Sequence, residues 1–183
     1  MRRLAFAFAF VSIACGSGGS SSLQGPGSFA PNAVVAVRES FGNGAEVQDV
    51  VAIDFLSTSP AFNCSQIDAG FPDSGVLRDE LTLLLGQDPM IALGTYEVID
   101  PEIFSGSTQY ASAVAAAVLV GPTDPPSLSF DEKAKSVSGT VTLTKVGGEF
   151  AGSFTVTMQS VFDGGQSTLT GSFDTSEVCI EPL

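Results

Sequence analysis

Strict alternation of apolar and hydroxyl-bearing residues over 137–146, repeated over 149–159 beyond Gly147-Gly148, constrains this chain more than any other feature. A period of two places Val137, Gly139, Val141 and Leu143 on one face of a strand and Ser138, Thr140, Thr142 and Thr144 on the other. In the second run Phe150, Gly152, Phe154, Val156 and Met158 oppose Ser153, Thr155, Thr157 and Gln159. A two-residue Gly147-Gly148 turn sets Val146 across from Glu149, which brings Val141 to Phe154, Leu143 to Gly152, Gly139 to Val156 and Val137 to Met158. Turn geometry and hydrophobic pattern therefore select the same register.

Other segments extend this hairpin into a sheet. Ser167 to Asp174 follows the Asp163-Gly164-Gly165 turn, with Leu169, Gly171 and Phe173 on one side and Thr168, Thr170 and Ser172 on the other. Ala33 to Phe41 and Ala45 to Leu56 flank Asn43-Gly44, a strong hairpin signal that predicts Arg38 opposite Asp49. Strands are expected near 94–100 and 108–120. The segments 76–86 and 111–120 suit helix or strand by composition, and their β neighbours favour strand; a helical turn within 57–79 stays open. The expectation is an all-β fold: a single antiparallel β-sandwich or small up-and-down barrel of about eight strands.

Composition narrows the function. The 183-residue chain has no histidine, which removes Ser-His-Asp and Cys-His nucleophile systems, histidine general bases and His-ligated zinc. Seven Lys and Arg against twenty Asp and Glu give a net charge of −13, a surface that repels phosphate backbones, so nucleic acid is not an expected partner.

Met1-Arg2-Arg3 followed by the apolar run Leu4 to Ala14 has the form of a secretory signal peptide over 1–14 and is too short for an ordinary transmembrane helix. The run stops at Ser12-Ile13-Ala14-Cys15, which resembles a bacterial lipobox with Ser12 where Leu is usual, making Cys15 the expected lipid anchor; the same residues also fit the small-x-Ala site of ordinary signal peptidase. Residues 15–31 are expected to be anchor and flexible Gly/Ser tether, with nothing in 16–27 able to pack a core, and 32–183 the β domain. Gly16 stands where an Asp would signal inner-membrane retention, so resemblance to enterobacterial lipoprotein sorting implies the outer membrane. Lipidating Cys15 leaves Cys64 and Cys179 as an even pair for a disulfide in an oxidising compartment. Such a bridge over a loop on the order of 100 residues is worth at most about 4.7 kcal/mol in the chain-entropy model.

The stretches ELTLLLG, GTYEV, SGTVTLTKVGGEFAGSFTVTM and LTGSFDTSEVC, within 80–179, resemble a pattern found among exported lipoproteins of myxobacteria-like bacteria with no assigned activity. The resemblance implies a Gly-punctuated β fold closed by a cysteine and implies no chemistry.

The candidates for chemistry are sparse. Asp68, Asp73 and Gly75 lack the spacing of a calcium loop. Asp100 with Glu102, Asp131 with Glu132, or Asp163 could join a glycosidase-type carboxylate pair, although no spacing selects one. Lys133, Lys135 and Lys145 lack the Ser-x-x-Lys context of a nucleophile dyad and read as solvated strand-end residues. No cofactor, catalytic residue or metal ligand is expected. The function expected is that of a lipid-anchored envelope protein, a non-catalytic binding or structural module whose partner is an envelope protein or glycan. Alternatives are a lipocalin-like carrier of a small apolar ligand and, more distantly, a carboxylate-dependent hydrolase.

Overall fold

The computed structural model describes residues 20–25, 28–43, 46–57, 77–87, 90–100, 109–120, 128–175 and 178–180. They form ten strands: β1 (Ser20–Gln24), β2 (Ala33–Asn43), β3 (Glu46–Leu56), β4 (Leu77–Gln87), β5 (Gly94–Val98), β6 (Gln109–Val120), β7 (Leu128–Lys145), β8 (Ala151–Ser160), β9 (Gln166–Asp174) and β10 (Val178–Ile180). Their order is β1-β9-β8-β7-β5-β6-β4-β3-β2-β10 in one sheet that does not close into a barrel. The expected all-β fold is present. The barrel alternative is not, and the sheet is mixed, because β10 runs parallel to β2 and β5 parallel to β6. The two ambiguous segments are strands, β4 and β6; of the possible helical turn in 57–79, residues 58–76 lie outside the described residues.

The sheet folds face to face. Five strand spacings separate β8 from β3 in this order, about 24 Å if the sheet were flat. Yet the Phe55 and Phe154 rings are 5.5 Å apart and the Phe55 and Phe173 rings 6.1 Å, both edge-on. These rings join Val51, Ile53, Leu81, Leu83, Leu85, Val141 and Val156 in one buried core. Gly171, the register partner of Phe154, makes the packing possible: a Cβ there would lie 2.5 Å from the Phe154 ring and 2.3 Å from the Ser22 carbonyl.

β7 serves both layers. Its first half pairs with β6, whereas Gly139–Leu143 pair with β5, and β8 lies along its other edge. The pairing skips Lys133 against β6 and Val137 against β8, so β-bulges mark the crossing. Val141 and Leu143 face inward, but beyond the Val137 bulge the inward position passes to Ser136, which is fully buried. Its hydroxyl donates to the Ile99 carbonyl at 3.0 Å and accepts from the Ala113 amide at 2.9 Å.

The predicted hairpin register holds at its centre and fails at its ends. Val141 pairs with Phe154, Leu143 with Gly152 and Gly139 with Val156, but Ser136 takes the place expected of Val137 opposite Met158. The turn is wider than two residues. Lys145 pairs with Ala151 and Thr144 is bulged out, which restores the register that a Gly-Gly turn would have set. Phe150 and Thr175 close this end, the Phe150 amide donating to the Thr175 hydroxyl at 2.8 Å and the Thr175 amide to the Phe150 carbonyl at 2.7 Å.

A second correction concerns 16–27. Ser20–Gln24 is not tether but an edge strand, antiparallel to β9, and Leu23 is buried in the core. Alternation of Ser21, Leu23 and their neighbours supplies one inward apolar side chain, enough for a strand that has only to cover an edge.

Candidate functional site

Three transverse rows occupy the middle of the outer face of the layer β5-β7-β8-β9-β1, bordered in the next outward row by the exposed Lys145–Asp174 ion pair. One runs Thr95, Thr142, Ser153, Ser172, Ser22; the next Glu97, Thr140, Thr155, Thr170, Gln24; the third Ser138, Thr157, Thr168. All are exposed or partly exposed, because the side chains between them turn into the core. β-branched threonines suit such a pleated surface, and strands spaced about 4.8 Å apart hold the rows in register. Neighbouring hydroxyls bond each other at the margins, Thr95 with Thr142 at 3.0 Å and Ser22 with Ser172 at 2.9 Å. Glu97 is the one ionisable group in these rows, on a chain with a net charge of −13. Such a face presents donors and acceptors to a neutral polyhydroxylated partner with little charge to desolvate.

A second polar group caps the core inside one end of the sandwich. Asp49, 5% exposed, accepts from Arg38 Nε at 2.8 Å, from the second guanidinium nitrogen at 2.6 Å and from the Ile91 amide at 2.9 Å. The predicted register is off by two residues: Arg38 lies across from Val51, not Asp49. A slip of two keeps both residues on the same face, so the pair forms diagonally. Nearby, the Tyr96 hydroxyl contacts Gln87 Oε1 and donates to the Ala92 carbonyl at 2.8 Å. Burial raises the Tyr96 hydroxyl above the usual phenol range. Every group here is occupied in holding the 90–92 segment over the core, and the constellation is structural.

A third group went unseen in linear spacing. On the outer side of β3 and β4 the Thr82 hydroxyl is 2.7 Å from Asp54 Oδ1 and 3.2 Å from Glu80 Oε1. Burial pushes the Asp54 carboxyl up to about 7, Glu80 adds to the rise and the Thr82 hydrogen bond opposes it. A carboxyl in that range can take up or release a proton near neutrality.

The residues singled out by sequence are placed as follows. Cys15, Cys64, Asp68, Asp73, Gly75 and Glu102 lie outside the described residues. Cys179 is buried on β10 and is not a free thiol. Asp163 caps the β8–β9 turn, where the Ser160 hydroxyl and the Gly165 amide hold it below the usual carboxylate range. Glu132 is exposed. The three lysines are in ion pairs: Lys133 with Asp79 at 2.6 Å, Lys135 with Asp100 at 3.5 Å, and Lys145 with Glu149 at 3.5 Å and Asp174 at 3.2 Å. Lys135 departs from the expected solvated strand end, being 18% exposed in mid-strand. Among the described residues no group of three His, Cys, Asp or Glu side chains could hold a metal ion, and no helix is long and apolar enough to cross a membrane.

No family model, curated protein or solved structure matches the chain.

Proposed function

We propose that this protein is an exported, outer-membrane lipoprotein anchored through Cys15, whose β-sandwich is a non-catalytic binding module for a neutral envelope glycan, with the hydroxyl rows as its contact surface. The observation that carries the reading is the regular block of Ser/Thr rows at the middle of this face, with Glu97 its one ionisable group, on so acidic a chain. The interior gives little support to a lipocalin-like carrier, because Phe55, Phe154 and Phe173 meet at its centre among closely packed aliphatic side chains. The Cys64–Cys179 bridge belongs to the same proposal, supported by the buried position of Cys179 on the last strand.

The test is sedimentation of the purified lipoprotein with insoluble cell-envelope polysaccharide. The wild type should co-sediment, and Thr155→Lys with Thr170→Lys, two neighbouring substitutions at the middle of the face, should abolish binding while leaving the melting temperature near that of the wild type. Equal binding by this variant would remove the glycan reading, and a rise in melting temperature with fatty acids would move the assignment to the carrier. Turnover of an ester or glycan panel, lost in Asp54→Asn, would replace the binding module with a hydrolase.

A further inference from the structure

The strand directions connect the N-terminal segment to two exposed apolar side chains. Ser21, Phe173, Gly152, Leu143 and Gly94 are successive register partners across β1, β9, β8, β7 and β5. All four pairings are antiparallel, so β1 and β5 run in the same direction and the chain enters both at one end of the sheet. The residues entering β5 include Met90, 59% exposed, and Leu93, 61% exposed. Those entering β1 follow Cys15 by five peptide units, at most about 18 Å of chain. Four strand spacings, about 19 Å, separate the two entry points across the sheet.

Resting on the anchor reading, we propose that this end of the sandwich docks on the phospholipid bilayer, with Met90 and Leu93 inserted at the interface. Held by so short a tether, the domain sees the lipid surface at high effective concentration, so two apolar side chains suffice for a contact too weak to bind from solution. At this end Arg38 is paired with Asp49 and Lys145 with Glu149 and Asp174, and the β2–β3 hairpin, which carries Glu39 and Glu46, ends here as well. With a net charge of −13 the chain gains nothing from anionic headgroups, so the contact is apolar and strengthens in zwitterionic membranes. The face that carries the hydroxyl rows then stands upright from the membrane, with the rows stacked parallel to the lipid surface. The β8–β9 turn, with Phe162 72% exposed, lies at the far end, about 23 Å along β8 from the Gly152 row.

The chain contains no tryptophan, so a single introduced indole reports its own surroundings. The full lipoprotein carrying Leu93→Trp, Met90→Trp or Phe162→Trp is reconstituted into phosphatidylcholine vesicles with and without brominated acyl chains. Emission from positions 93 and 90 should be blue-shifted and quenched several-fold more strongly by brominated lipid than emission from 162; two reporters keep the test valid should one variant fail to fold. Flotation with the vesicles combined with equal quenching at both ends overturns the docking and leaves the anchor standing. Wild-type protein that floats no better than Cys15→Ser overturns the anchor and the docking together.

Discussion

The Arg38 guanidinium reaches Asp49 with two hydrogen bonds although the two residues are not register partners, and the same carboxylate also receives the Ile91 amide. Asp49 thus ties two strands and the 90–92 segment together at the core's edge. Truncation of Arg38 to Ala leaves that carboxylate buried without its counter-charge. A loss of about 2–4 kcal/mol is expected, below the full cost of breaking a wholly buried pair because Arg38 is itself 27% exposed. Urea unfolding measures it; a loss under about 0.5 kcal/mol, typical of an unremarkable surface change, would show the pair to be incidental.

Gly171→Val should unfold or severely weaken the domain, since even a Cβ meets the Phe154 ring and the Ser22 carbonyl. Phe55→Ala, which removes the ring that both Phe154 and Phe173 abut, should cost about 3–5 kcal/mol. If Gly171→Val retained the wild-type urea midpoint, the close approach would be refuted.

Ser136→Ala should cost about 1–3 kcal/mol by leaving the Ala113 amide and the Ile99 carbonyl without their hydroxyl partner. Hydrogen exchange of the Ala113 amide is the sensitive readout, and unchanged protection would contradict the assignment.

Asp54 gives stability a definite pH dependence. In the native state it keeps its proton up to about 7, whereas in the unfolded chain it loses it near 3.8. Between those values the unfolded state binds fewer protons, so the stability associated with this group is fully present below about pH 4 and is lost as pH rises through about 7. Asp54→Asn lacks this component. Its urea midpoint should gain on that of the wild type between acid and mildly alkaline pH; parallel profiles would contradict the shift.

The unfolded, non-reduced mature protein should expose no alkylatable pair of thiols at Cys64 and Cys179, and reduction should cost about 2–5 kcal/mol. Two modified cysteines in mass spectra would remove the bridge.

Much of the fold was legible because period-two alternation survives wherever one face is buried and the other solvated. The central register of β7 with β8 followed from it, whereas β4 and β6, whose composition suits helix or strand, were read as strands from their β neighbours. What alternation cannot encode is a change of phase. The bulge at Val137 exchanges the inward and outward positions, and only the paired strands reveal that Ser136 is the buried one. Composition misled at Ser20–Gln24, where an edge strand needs only Leu23 to enter the core. The hydroxyl residues of β7, β8 and β9 stood out in the sequence as the solvent sides of separate strands. Their alignment into rows, extended by Thr95 and Ser22, depends on pairings between distant parts of the chain. Asp54 and Glu80 likewise come from different strands, and their meeting at Thr82 leaves no trace in linear spacing.

The order of strands also dictates when this molecule can become complete. Among the described residues both outer edges of the sheet are supplied by the first and last strands, β1 and β10. The first strand must wait for β9, its Ser22 bonding a residue 150 positions later, and the last cannot add to β2 before residues 178–180 have been made. During synthesis, and during any passage through a translocation channel, β2 and the partners of β9 therefore stand with unpaired backbone amides and carbonyls. A chaperone that recognises extended, hydrogen-bond-hungry backbone would find its substrate in that interval, and a chain cut short of β10 would leave Ala36–Arg38 of β2 without their strand partners.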